Sequence, residues 1–307
     1  MAGPLPRVSL LMPCRNGGAH LSAALDSLLA QDYPDLEILI CDDASDDGSA
    51  ELLAARLADY SGPHAVRLLR NETRQGIETY NRLVEAASGA FMVIAHADDI
   101  SYPQRVARLV EVWRNSGVSL VASNALAIDG AGREIGLYRR ETGQPDFRLE
   151  RLAETGWQAA LLGATLAWEP EVFRRFGPIK AQDSAISSDW ILPFRAALLK
   201  GIRYIEEPLL AWRYHDASRS RQMLDQHRDG RAAKEAATAN ALIQTVYLID
   251  TLNGFAGEAP EEERSRLARV RAILQERLLR LARDWAQIRN ALMHERLRPR
   301  WEPPESG

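Results

Sequence analysis

Only two cysteines occur among 307 residues, Cys14 and Cys41, which excludes both a disulfide framework and a zinc ribbon. Such usage fits a reducing compartment, and a cytoplasmic location is expected. No apolar run is long enough to cross a bilayer, and the opening Met-Ala-Gly-Pro-Leu-Pro-Arg lacks a signal-type apolar core. Any membrane contact is therefore expected to be peripheral. Charge of one sign is also missing: 38 Lys and Arg against 42 Asp and Glu leave a formal charge of -4, without the basic excess of a nucleic-acid binder. Small-molecule chemistry, with no nucleic-acid partner, is the expectation. A Gly-x-Gly-x-x-Gly turn is absent as well, because the first apolar run leads into Pro13-Cys14-Arg15-Asn16-Gly17-Gly18, and this argues against a dinucleotide-dependent oxidoreductase.

What is present is ordinary globular material, 46% hydrophobic and 26% charged, enough to bury a core in one large domain or two smaller ones. The first half alternates short apolar runs with amphipathic ones, the rhythm of βαβ units around a largely parallel sheet. Strands are predicted at Val8 to Met12, Glu37 to Cys41, Val66 to Arg70 and Phe91 to Ala95. Helices are predicted at about His20 to Gln31, Ser49 to Asp59 and Gly76 to Ala87. Each strand reads as nearly all apolar, as expected where helices cover both faces. A helix from Gln104 to Ser116, a strand from Leu120 to Ile128 and a hairpin turn at Asp129-Gly130-Ala131-Gly132 follow. Residues Arg139 to Gln158 read as an irregular connection, followed by a strand near Ala164 to Trp168, a helix near Ser188 to Lys200 and a strand pair around Arg203 to Tyr214.

Open α/β sheets gather ligands at the carboxyl ends of their strands. Asp42-Asp43 ends the second predicted strand, where a carboxylate can accept from a base imide or bind ribose hydroxyls. Helix capping accounts for the neighbouring Asp46, Asp47 and Ser49, but Asp42 and Asp43 come too early for it. Asp98-Asp99 follows the fourth strand, and packed carboxylates repel unless a cation neutralises them. A hard divalent ion takes one or two carboxylates and completes its shell with phosphate oxygens and water. Asp189 opens an amphipathic helix, as a first-turn acid favourable to the helix dipole or as a base. Arg213, His215 and Arg219 form a cluster of donors suited to phosphate or metal.

In order and spacing these segments resemble the family-2 glycosyltransferases of the GT-A fold. Val8 to Asn16 is similar to that family's opening strand and Pro-x-(Tyr/Arg)-Asn loop, carried here by Pro13, Arg15 and Asn16. Leu25 to Asp43 matches its second block, Gly76, Asn81 and Gly89 its nucleotide-facing loop and helix, and Asp98-Asp99 its metal-binding Asp-x-Asp position. The resemblance runs from about Arg7 to Arg221. It implies an α/β GT-A domain over 1–224, with a nucleotide-sugar half to about 130 and an acceptor half to 224, and a helical extension over 225–307. It also implies that Asp43, supported by Asp42, contacts the base, Asp98 the ribose, and Asp99 a divalent Mg²⁺ or Mn²⁺, with His215 a further metal or phosphate ligand. Asp189 would be the general base. Two positions depart from the pattern: His96 stands where relatives commonly carry an acid, and Ser188 replaces the Glu that usually precedes the base.

The implied activity is inverting transfer of a sugar from a nucleoside-diphosphate donor, UDP-linked by preference, to a hydroxyl of a saccharide or lipid-linked acceptor. A nucleotide-sugar-binding or scaffold protein without catalysis is the alternative, and the retained Asp98, Asp99 and Asp189 argue against it. Near the C-terminus, Leu267, Val270, Leu274, Leu278, Leu281, Trp285, Ile288 and Leu292 recur at steps of three and four within Glu261 to Arg298, a helix with one apolar stripe. That stripe is expected to dock on the catalytic body or on a second copy as a homodimer. Eleven Arg against eight acids from Glu261 onward is a modest surplus for a helix whose main partner is a bilayer.

Overall fold

The computed structural model describes residues 4–139, 143, 145, 147–155, 161–180, 188–215 and 230–297, and its strands form one nine-stranded sheet. Strand β1 (Val8–Cys14) lies parallel between β2 (Leu36–Asp42) and β4 (Phe91–Ile94), with β3 (Ala65–Arg70) outside β2. Beyond β4 come β8 (Ala167–Trp168), β6 (Leu120–Asp129), β9 (Ile202–Tyr214) and β5 (Ile100–Ser101). Strand β7 (Glu134–Leu137) folds back on β6 through the expected Asp129 turn, whose carboxylate accepts from the N–H groups of Ala131 and Arg133.

Side chains alternate across the sheet with the period of two that a pleated strand imposes. Val8, Leu10 and Met12 of β1 join one core with α1 (Leu21–Leu29), α2 (Ser49–Ala58) and α4 (Arg105–Ser116). Leu11 and Leu39 point the other way, to α3 (Ile77–Ala86), α5 (Leu149–Thr155), α6 (Glu171–Arg174) and α7 (Ser188–Leu198). Each of these fully buried aliphatic side chains contributes about 1.5–3 kcal/mol. The sheet is thus covered on both faces, and its parallel strand ends open toward the polar loops.

Four expectations need correction. The connection over Arg139 to Gln158, expected to be irregular, contains the helix α5. β3 is half exposed because it is an edge strand, so the all-apolar rule holds only for the strands inside the sheet. The strand pair around Arg203 to Tyr214 is a single strand, β9, irregular in register where Ser123 faces Ile205 and Asn124 faces Pro208. Glu206-Glu207-Pro208 resembles a turn in sequence, but a break in register accommodates the proline inside a strand. The strand expected near Ala164 is a 3₁₀ turn, Gly163–Thr165, followed by the two residues of β8.

The C-terminal region is helical: α8 (Gly230–Ala256) and α9 (Glu261–Leu297) pack together and onto the second core. Leu248 and Leu252 of α8 meet Leu267, Val270 and Leu274 of α9 there. Arg266 pairs with Glu150 at 2.9 Å, and Arg277 donates to the Ala153 carbonyl at 3.2 Å, fixing α9 to α5. The stripe docks on the body over its first turns only. From Leu278 through Leu281, Trp285 and Ile288 it is partly covered, and the Leu292 side chain lies outside the described residues. Among the described residues no helix is long and apolar enough to cross a membrane.

Candidate active site

The loops after β1 and β2 are laced together. Arg15 Nη1 donates to the carbonyls of Asp43 and Ala44 at 2.9 and 2.7 Å. The Asn16 amide donates to Asp46 Oδ1 and accepts from the Asp46 N–H, while the Asn16 N–H donates to Ser45 Oγ. Ser49 Oγ and Asp47 Oδ2 take the N–H groups of Gly17 and Gly18. Of the three residues read as helix caps, Asp47 also accepts from the Ser49 N–H at the start of α2, whereas Asp46 and the Ser49 hydroxyl serve the opposite loop. Pro13 stands on β1 opposite Cys41, within this frame.

Asp43 is buried and saturated with donors. Asn71 Nδ2 and the Gln75 N–H reach Oδ1 at 2.8 and 2.7 Å, and the Gly76 N–H reaches Oδ2 at 2.9 Å. Burial pushes its carboxyl up, but these hydrogen bonds, together with Thr79, outweigh burial and hold it below the usual range. Gly76 supplies that N–H from a backbone at φ 62°, which favours a residue without Cβ. Asp42 is buried beside it; Oδ2 accepts from the Ser45 N–H, and Oδ1 has no partner among the described residues. Asn81 does not reach this loop: its amide brackets the backbone of Ile179 at 2.7 and 3.0 Å and holds Glu78.

The second group gathers where β4, β5 and β9 meet. Asp99 is 5% exposed; its Oδ1 accepts from the Arg213 N–H at 2.8 Å. Its Oδ2 accepts no hydrogen bond among the described residues and faces His96 Nδ1 at 3.6 Å. Burial pushes the Asp99 carboxyl up to about 7, with Asp98 adding to the rise and His96 opposing it. His215 Nε2 lies 3.2 Å from Asp98 Oδ2, and the ring of His20 meets that of His215 edge-on at 4.8 Å. Arg213 is a clamp in this arrangement: Nε donates to the Asp98 carbonyl, and Nη1 to the carbonyls of Asp129 and Gly130. Those bonds occupy the donors a phosphate would need from Nε and Nη1. Arg219 lies outside the described residues.

The ligand atoms of His96, Asp98 and Asp99 all lie within 4.8 Å of one another. A buried carboxylate oxygen without a donor, beside a second carboxylate and an imidazole, fits a divalent cation. The histidine that breaks the acidic pattern therefore belongs to the cluster itself.

Asp189 begins α7, partly buried, with its carboxyl against Gly163. Burial raises the Tyr80 and Tyr138 hydroxyls, and the Asp189 charge adds to both shifts. Pro193 has no N–H for the Asp189 carbonyl four residues earlier, so the first turn of α7 lacks one helical bond.

Arg105 is the buried charge beside the site that sequence reasoning passed over. It is fully buried at the start of α4, donating to Ser101 Oγ at 2.8 Å and to the carbonyls of Ile94 and Ala164 at 2.7 and 2.6 Å. Burial lowers its pKa to about 10, partly offset by Asp99. The available signal was a charged residue on the apolar stripe of α4 with Leu109.

With this geometry, the model of the glycosyl transferase family 2 matches residues 9–175, and the chain belongs to that family. An uncharacterized glycosyltransferase of Nostoc is 28% identical over 69% of this chain and 66% of its own length. The chain spans 46% to 71% of the length of three curated relatives. The structure of Staphylococcus aureus TarS 1-349 in complex with UDP-GlcNAc superposes with a TM-score of 0.54 at 13% identity, covering 92% of each chain. A mannosyltransferase from Pyrobaculum calidifontis, in complex with GDP-Man and Mn²⁺, gives 0.52 at 19% identity over 91% of this chain and 85% of the other. The shared fold is the GT-A fold, as the resemblance implied.

Proposed function

We propose that this family-2 chain transfers a sugar from a nucleoside-diphosphate donor, UDP-linked by preference, to a hydroxyl of a saccharide or lipid-linked acceptor, with inversion. The observation that carries the reading is Asp99: a buried carboxylate with one oxygen lacking a donor, flanked by Asp98 and His96 at the strand ends. Asp99, Asp98 and His96 would hold a divalent ion, which supplies charge neutralisation for the diphosphate. TarS was solved with a uridine-linked sugar and the Pyrobaculum enzyme with Mn²⁺, which supports both choices. Asp98, expected at the ribose, is assigned here to the ion site, and His215, expected as a further metal or phosphate ligand, to orienting Asp98.

On the donor side, Asp43, expected to contact the base, has its oxygens taken by Asn71, Gln75 and Gly76 and shapes that loop, which leaves the unbonded oxygen of Asp42 as the acceptor for the base. Asp189 takes the proton of the acceptor hydroxyl. The acceptor oxygen bonds to the anomeric carbon as the bond from that carbon to the diphosphate oxygen breaks, and the electron pair departs on the nucleoside diphosphate. One displacement inverts the configuration. Donor contacts come from residues up to about 130 and the base from beyond, which is the division into halves proposed for 1–224.

Calorimetry of UDP and GDP, with Mn²⁺ or with chelator, tests the reading. Mn²⁺-dependent binding to the wild type and its loss in Asp99→Asn are expected. Equal binding with chelator present removes the metal role.

A further inference from the structure

Gly163 lies in the 3₁₀ turn before β8, 26 positions from Asp189 in sequence and directly beneath its carboxyl in space. A Cβ built on Gly163 would fall 2.7 Å from Asp189 Oδ2 and nearer still to Cγ and Oδ1. The glycine does not have a left-handed backbone, so its φ gives alanine no strain there. The three atoms nearest to such a Cβ all belong to the Asp189 carboxyl. The turn beneath is rigid: Thr165 and Leu166 N–H groups close it onto Leu162 and Gly163, and Arg105 holds the Ala164 carbonyl. The same guanidinium holds the Ile94 carbonyl and Ser101 around Asp99, so one buried cation braces the ground under both carboxylates.

We infer that Gly163 is a positioning residue, whose missing side chain forms the seat in which the Asp189 carboxylate rests at the acceptor oxygen. This rests on the base role proposed for Asp189. A methyl group at the seat must be relieved by the flexible end of Asp189 swinging away, because the turn below is fixed at both sides. Displacing a reacting group by about 1 Å costs up to about 10²-fold in rate without a change in donor binding.

The experiment is a double-mutant cycle of Gly163→Ala with Asp189→Ala, read in melting temperature and in release of nucleoside diphosphate from UDP-GlcNAc or, where the wild type prefers it, GDP-Man, with water as acceptor. Gly163→Ala is expected to lower kcat at least about 10-fold at unchanged donor KM, and to have no further effect once Asp189 is alanine. Any drop in melting temperature from Gly163→Ala should likewise vanish in the double variant, which keeps the test valid if the single variant folds poorly. Equal losses in both backgrounds overturn the seat. Normal kcat in Gly163→Ala with a silent Asp189→Ala overturns the seat alone and leaves the base assignment standing. Normal turnover in Asp189→Ala overturns both.

Discussion

Asp99→Asn should make the metal-free protein more stable while abolishing its metal-dependent nucleotide binding. The carboxyl is 5% exposed and burial lifts it from 3.8 to about 7, which corresponds to about 4 kcal/mol of cost for the charged form. A folded-state pKa above the unfolded one means that the native chain binds the extra proton, so stability falls as pH rises between about 4 and 7. Above that window the full cost is borne by the wild type and absent from the amide. The amide oxygen can still accept from the Arg213 N–H, so the swap removes charge and leaves shape. Urea melts with chelator should therefore coincide near pH 4 and diverge toward pH 8, the variant ahead by up to about 4 kcal/mol. Mn²⁺ with UDP should then raise the wild type alone, by about 2.7 kcal/mol at 100 times the dissociation constant. A variant that melts below the wild type at pH 8 in chelator would sink the reasoning, since the carboxylate would then be stabilising in place.

Asp189→Asn should leave the nucleotide dissociation constant within a few-fold and lower turnover by about 10²-fold or more, checked by calorimetry beside single-turnover kinetics. Arg105→Met should cost about 3 kcal/mol in urea unfolding, because the Ile94 and Ala164 carbonyls lose a buried donor; a change below about 0.5 kcal/mol would count against its role as a brace. Ending the chain at Ala259 removes Leu267, Val270 and Leu274 from the core at about 2 kcal/mol each, so the melting transition should fall sharply. An unchanged transition, with only liposome binding lost, would identify α9 as a membrane attachment.

Strand positions and the acids that follow them were legible because period and turn chemistry are local: β1, β2 and β4 end within two residues of the predicted positions. Roles inside the site were less so. Asn81 and Arg213 have the right chemistry for a ligand, but Ile179, Asp98, Asp129 and Gly130 engage them through chain separations that no local pattern encodes. His96 read as a departure because its neighbour across space, the donorless oxygen of Asp99, exists only once the loop is closed and buried. Gly163 carried no signal, since its meaning lies in the side chain that occupies its empty volume. The tail stripe was correct as a helix face, but how far the body extends beneath it is a tertiary fact, and coverage thins beyond Leu274.

The lacing of Arg15, Asn16, Gly17 and Gly18 to the 43–49 loop constrains how this protein can diverge. Each bond spans about thirty residues and fixes one loop's length by the other's, so a single insertion in either would put several donors out of register at once. Loops usually vary by gaining and losing residues. This pair is closed to that route, and new contacts at the mouth of the sheet must arise by exchanging side chains on a backbone of constant length.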